Sequence, residues 1–402
     1  MIITMTQRPL LSLPLIAAIV AIFLGACAAP SPPVNTAGST APAGPTILTD
    51  DDRSPQLKRL TEDWRTDWTR HTIRYDEILS GGPPRDGIPA IDEPGFISAA
   101  EATAWLDDRE PVVALEVNGV ARAYPLQILI WHEIVNDEIG GVPVTVTFCP
   151  LCNAAVVFDR RLNGRVLTFG VSGLLRHSDL IMYDRQTESL WQQFTGEGVV
   201  GEMAGKTLTW LPASIIGFAD FRQTYPDGQV LSRDTGYNRS YGQNPYAGYD
   251  NIDQSPFLFD GIPDDRLPPM ARVVTVSLKG EDVAYPYDLL EKERVVQDMI
   301  AGQDIVVFYQ PGTVSALDAR SIANSKDVGA TGVFEPMLDG QSLTFVADGD
   351  DFLDEQTGSR WHILGVATAG PLAGRRLVPL LHADHFWFSW AAFKPDTRIY
   401  SP

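Results

Sequence analysis

The chain has 402 residues, an apolar fraction of 44% and a formal charge of −20. It is long enough for two domains or one large core. Its acidity argues against a nucleic-acid partner, which needs clustered Lys and Arg, and disfavours charge-driven adhesion to anionic lipid.

The N-terminus reads as an address. Arg8 precedes an apolar run from Leu10 to Leu24, and the run ends in Leu24-Gly25-Ala26-Cys27. A charged start, an apolar core and small residues before a cut make residues 1–26 a secretory signal, too short to be a convincing membrane span. Leu-Gly-Ala-Cys resembles the lipobox of bacterial lipoproteins. The resemblance implies export, cleavage before Cys27 and diacylation of Cys27, so that the partner at this end is a membrane. Ala28 and Ala29 follow, which resembles the sorting pattern for the outer membrane in a cell with two. Residues 27–46 are mostly Ala, Pro, Ser, Thr and Gly, the composition of a flexible tether.

Residues 47–108 are polar, with Trp64, Trp68 and Tyr75, and are expected to form a helical lead-in. Beyond them the chain repeats itself. Val112–Pro125 and Val273–Pro286 both read as strand, glycine turn and strand, each ending in Tyr-Pro. Helix-like stretches follow, Leu126–Asp137 and Tyr287–Ile300, and then the strand-like Val144–Phe148 and Ile305–Tyr309. Asp184 to Trp191 matches Asp354 to Trp361. The fold class expected is α+β and strand-dominated, with two pseudo-equivalent repeats of short strands and short helices. Repeat one spans 109–231, a Tyr/Gly/Pro-rich insertion spans 232–270, and repeat two spans 271–402.

The repeats differ where chemistry is expected. Repeat one carries Cys149-Pro-Leu-Cys152, and repeat two has Gln310-Pro-Gly-Thr313 at that place. The turn therefore forms without thiols, and the thiols are an addition to one copy. Two thiolates can chelate copper or zinc, with further ligands from elsewhere. His132, just upstream, is the leading third ligand. Repeat one also has extra residues around Gly173–Asp179, so Arg176, His177, Asp179 and Met182 form a possible additional site. A thiol–disulfide oxidoreductase is the alternative, although Asn153–Arg160 reads as strand and not as the helix that would activate a thiol. A structural disulfide in a non-catalytic binding module is the third reading, although a two-residue loop gives it little entropic benefit. The tyrosines of 232–270 would then be the contact surface, for carbohydrate or protein.

Other motifs carry less. His132-Glu133-Ile-Val-Asn136 lacks the second histidine of a zincin helix. His382 and His385, beside Phe386, Trp387 and Trp390, read as packing and capping. No Gly-x-Ser-x-Gly elbow or phosphate loop appears.

Taken together, Tyr124-Pro125, Trp131–Asp137, Phe148–Cys152, Ser172–Leu175 and Met182–Trp191 resemble domain-of-unknown-function family 3179, uncharacterised exported proteins of bacteria and archaea. The resemblance covers most of the chain after about residue 100 and supplies no activity. It implies that His132, Cys149 and Cys152 belong to the family pattern, and that Asn is commoner where this chain has His177.

Overall fold

Short β-branched runs separated by Gly, Asn and Asp cannot sustain long helices, and they fold as short antiparallel strands. The computed structural model describes residues 45–402. Cys27, the signal segment and nearly all of the tether lie outside the described residues. The described chain is 40% strand and 12% helix. No helix among the described residues is long and apolar enough to cross a membrane.

Three sheets of four or five strands, and one two-stranded hairpin, Arg161–Leu162 with Arg165–Val166, are built from described residues before 232. The first runs Ser214–Gly217, Pro111–Val117, Val120–Pro125, Gln229–Leu231, Phe96–Ser98. The second runs Thr209–Leu211, Ala154–Asp159, Val142–Cys149, Ile134–Ile139, and the third is centred on the Phe169–Arg176 and Asp179–Asp184 hairpin. After 270 the order of strands is comparable. One sheet runs His382–Phe386, Arg272–Leu278, Glu281–Pro286, Arg398–Ile399, and a second runs Val378–Pro379, Ala330–Glu335, Gln303–Gln310, Val295–Ile300. A third is centred on Phe345–Asp348 and Asp351–Asp354. Local bonding corresponds too. Trp191 Nε1 donates to Asp184 at 2.9 Å, and Trp361 Nε1 donates to Asp354 at 2.9 Å.

Helices end earlier than periodicity suggests. The helix Leu126–His132 stops because Glu133 takes a left-handed φ of +59°, and Ile134–Ile139 continues as a strand. Arg294, with φ +62°, ends Tyr287–Glu293 in the same way. The expected helices to Asp137 and Ile300 are therefore each a helix followed by a β-branched strand. The lead-in is also corrected. It holds only the short helices Pro55–Leu60 and Ala99–Ala102 and a 3₁₀ turn, because prolines such as Pro83, Pro84, Pro89 and Pro94 interrupt the backbone donors. Its strands Ile78–Ser80 and Phe96–Ser98 extend two of the sheets instead.

The helices Phe218–Thr224 and Trp387–Phe393 pack in apolar clusters drawn from residues both before 232 and after 270. Phe386, Trp387 and Trp390 pack in one apolar cluster with Cys149, Cys152 and Phe194. Phe218 and Phe221 pack with Val306, Phe308 and Trp361. This packing places residues near the C-terminus beside the cysteine turn.

Candidate functional site

Cys149 ends one strand and pairs with Ala154, which begins the next. Pro150, Leu151, Cys152 and Asn153 make the turn between them. Asn153 takes φ +52°, a conformation Asn tolerates better than most residues, and its N–H donates to the Pro150 carbonyl at 3.3 Å. The turn is held from both sides. Phe386 N donates to the Cys152 carbonyl at 2.9 Å, and Tyr249 Oη donates to the Leu151 carbonyl at 3.0 Å. The two cysteines are free thiols, 2% and 0% exposed.

A second turn faces the first. His177 and Ser178, between Arg176 and Asp179, have φ of +51° and +68°, as in a type I′ hairpin. The Cys149 thiol lies 3.7 Å from the Ser178 carbonyl, and Ser178 Oγ donates to the Phe257 carbonyl at 2.6 Å. The insertion thus clamps both turns, because Phe257 N also donates to Tyr249 Oη at 3.2 Å.

Asp179 opens the strand after this turn and is wholly buried. Its Oδ2 accepts from Gln192 Nε2 at 2.6 Å and from Phe194 N at 2.9 Å. Its Oδ1 is buried and faces no N–H or O–H donor, so the only polar hydrogens near the carboxylate besides those on Oδ2 are those of the two thiols. One carboxylate oxygen of Asp179 and the sulfurs of Cys149 and Cys152 lie within 4.8 Å of one another. An unpartnered buried carboxylate oxygen costs free energy unless a proton or a cation satisfies it.

Burial sets the charge states. It pushes the Asp179 carboxyl up to about 7, against the lowering effect of hydrogen bonds from Gln192, from Phe194 and from the two thiols. Burial likewise raises Glu133 to about 8, helped by the charge of Asp179. The Cys149 thiol is raised by burial, with smaller contributions from Asp179 and Glu133. Cys152 is raised further, first by burial and then by its hydrogen bond with Cys149. Two thiols and two carboxyls thus share a region that rejects negative charge. A bound cation would reverse that preference.

The other expected site residues separate. His132 does not join the thiols: its Nδ1 lies 2.7 Å from the Pro89 carbonyl and its Nε2 lies 2.6 Å from Tyr241 Oη. Both ring nitrogens are engaged, Nδ1–H donating to the lead-in's Pro89 carbonyl and Nε2 facing the insertion's Tyr241 hydroxyl, so the third donor beside the thiols is Asp179. Of the possible additional site, only Asp179 reaches the sulfurs. Arg176 pairs with Glu77 at 2.7 Å, His177 lies 3.5 Å from the same carboxylate, and Met182 is buried in the apolar core. In the second half, Gln310 Nε2 donates to Asp220 Oδ1 at 2.8 Å, while Thr313 Oγ1 is buried without a partner. That turn carries no thiol.

The sequence reading has no place for Gln192, takes Glu133 only as part of a weak zincin-like motif, and groups Tyr249 with the tyrosines of a contact surface. Gln192 adjoins Trp191, which ends the stretch that matches Asp354–Trp361, and that was the available signal. The places of Glu133 and Tyr249 beside the cysteine turn come from long-range packing, which neither motif reveals.

Fold and site together define the class: a strand-dominated protein with a buried thiol–carboxylate centre. The family described as "Protein of unknown function (DUF3179)" matches residues 85–397, and the chain belongs to it. No curated protein and no solved structure matches.

Proposed function

We propose that this chain is an exported, lipid-anchored protein that binds one transition-metal ion at Cys149, Cys152 and Asp179. The observation that carries the reading is the wholly buried Asp179 carboxylate, one oxygen of which lies within 4.8 Å of two free buried thiols. Two sulfurs and one carboxylate oxygen make a three-donor set, which leaves a fourth position open, as in catalytic zinc sites. The carboxylate favours zinc over copper(I), which prefers sulfur and imidazole. Export and lipidation at Cys27 rest on the signal-like leader and its lipobox-like end. The comparable strand orders and the paired Asp–Trp bonds support reading the two halves as a duplication, with the metal site added to one copy.

A thiol–disulfide oxidoreductase is the second reading. The close sulfurs favour it, as does an adjacent carboxyl near 7 that could take a thiol proton. Near-complete burial and raised thiol values oppose it, because the thiolate is the attacking species. Metal analysis of tag-free protein separates the two. The metal reading expects one equivalent of zinc in the wild type and none in a Cys149→Ser, Cys152→Ser variant. Equal metal in both proteins would refute it.

A further inference from the structure

Cys149 and Cys152 are sealed from solvent, yet the stretch bonded to both turns around them is loosely built. No residue from Asn251 to Pro269 is buried. Among the described residues, no backbone group from Ser255 to Pro263 bonds to another backbone group. The hydrogen bonds of this stretch pass through Phe257: its carbonyl accepts from Ser178 Oγ at 2.6 Å, and its N–H donates to Tyr249 Oη at 3.2 Å. Ser178 stands beside the Cys149 thiol, and Tyr249 holds the Leu151 carbonyl of the cysteine turn. Phe259 adds an edge contact to Phe388, with centroids 5.2 Å apart.

The ends of the stretch are firm. Asp250 is buried and pairs with Arg272 at 3.0 Å and Lys326 at 3.0 Å. At the other end, Arg266 donates to the Thr397 carbonyl at 2.8 Å and the Pro395 carbonyl at 2.7 Å. Between these anchors Leu258 takes φ +52°, a left-handed conformation that crowds the Cβ of a leucine. Lifting the stretch releases that conformation and exposes little new apolar surface. Segments with few buried contacts and few backbone bonds open locally at much lower cost than the sheets unfold.

We propose that residues 251–263 are a gate over the thiol–carboxylate centre. With Asp250 and Arg266 as fixed ends, the stretch lifts off Ser178 and Tyr249 while the sheets stay folded, and this opening sets the rate at which solutes reach Cys149 and Cys152. That a metal ion is one of those solutes rests on the function proposed above. The gate itself does not.

The test is alkylation of the metal-free full chain by iodoacetamide at fixed pH, read at Cys149 and Cys152 by peptide mass mapping, in urea below the unfolding transition. A short stretch that opens alone exposes little surface, so the rate should rise about twofold or less between 0 and 1 M urea. Access through global unfolding would raise it more than about tenfold. Ser178→Ala should speed alkylation about tenfold. Tyr285→Phe, which removes a hydroxyl bond to Asp298 in the second half, should leave it unchanged. In zinc-loaded protein, Ser178→Ala should speed metal release to a chelator by the same factor. Failure to load zinc would refute the metal reading and leave the alkylation result to judge the gate. Alkylation that follows global unfolding in its urea dependence, or equal rates in the wild type and Ser178→Ala, would overturn the gate.

Discussion

Replacing His385 with leucine isolates one buried group and gives a signed, sizeable pH effect. The imidazole is fully buried, stacks on Phe194 at 4.2 Å and on Trp390 at 5.4 Å, and has no hydrogen-bond partner on either nitrogen. Burial lowers it from 6.5 to about 3. Below pH 6.5 the unfolded chain therefore takes up a proton that the folded chain refuses. The stability is whole above 6.5 and is lost as pH falls toward 3. At about 1.4 kcal/mol per decade of proton affinity, the loss reaches about 2.7 kcal/mol at pH 4.5 and at most about 5 kcal/mol below pH 3. That is a large fraction of a typical folding free energy. Leucine keeps apolar packing and removes both unsatisfied nitrogens, which should add about 1–3 kcal/mol at pH 7.5. Asp179 and Glu133 act in the opposite sense. Their raised values cost stability as pH rises toward 7 and 8, so the variant must be compared with the wild type at each pH. Urea unfolding at pH 7.5 and 4.5 is the assay. The advantage of His385→Leu should be about 2.7 kcal/mol larger at pH 4.5 than at pH 7.5. Parallel pH profiles for the two proteins would refute the reasoning.

Other perturbations have defined outcomes. Tyr249→Phe removes a hydroxyl that bonds both Leu151 O and Phe257 N, and should cost about 1–2 kcal/mol in urea unfolding while speeding thiol alkylation at Cys149. Gly173 has φ +77° at a bulge, and a Cβ there would stand 2.1 Å from the Pro83 carbonyl. Gly173→Ala should therefore lower stability by roughly 2–4 kcal/mol, measured by thermal or urea unfolding, and a neutral effect would contradict that packing. The raised thiol values predict that metal-free protein reacts with iodoacetamide far more slowly than free cysteine at pH 7.5, a contrast that denaturant should abolish.

Much of the strand pattern was legible because it is local. Alternation and β-branching mark Val142–Cys149 and Ala154–Asp159, and the Leu162-Asn163-Gly164 turn has the expected left-handed φ at Asn163 and Gly164. Helix ends were less legible. Glu133 and Arg294 stop helices in a conformation usually given to glycine, and neither residue type announces it. His132 looked available because its partners, Pro89 and Tyr241, are 43 and 109 residues away. Asp179 lies in a stretch, Gly173–Asp179, with no counterpart between Leu343 and Asp354, so its interest was visible. Its direction was not, since that depends on a hairpin turn closing over the cysteine turn and on Gln192 and Phe194 holding the other oxygen.

The central claim is a metal held by two sulfurs and a carboxylate. X-ray absorption at the zinc edge, on tag-free protein carrying one equivalent of zinc, tests it most directly. The account predicts two sulfurs at about 2.3 Å, and light-atom scattering at about 2.0–2.2 Å that changes in Asp179→Asn. A shell without sulfur, or one that is unchanged in Asp179→Asn and shows imidazole scattering lost in His132→Ala, would contradict it.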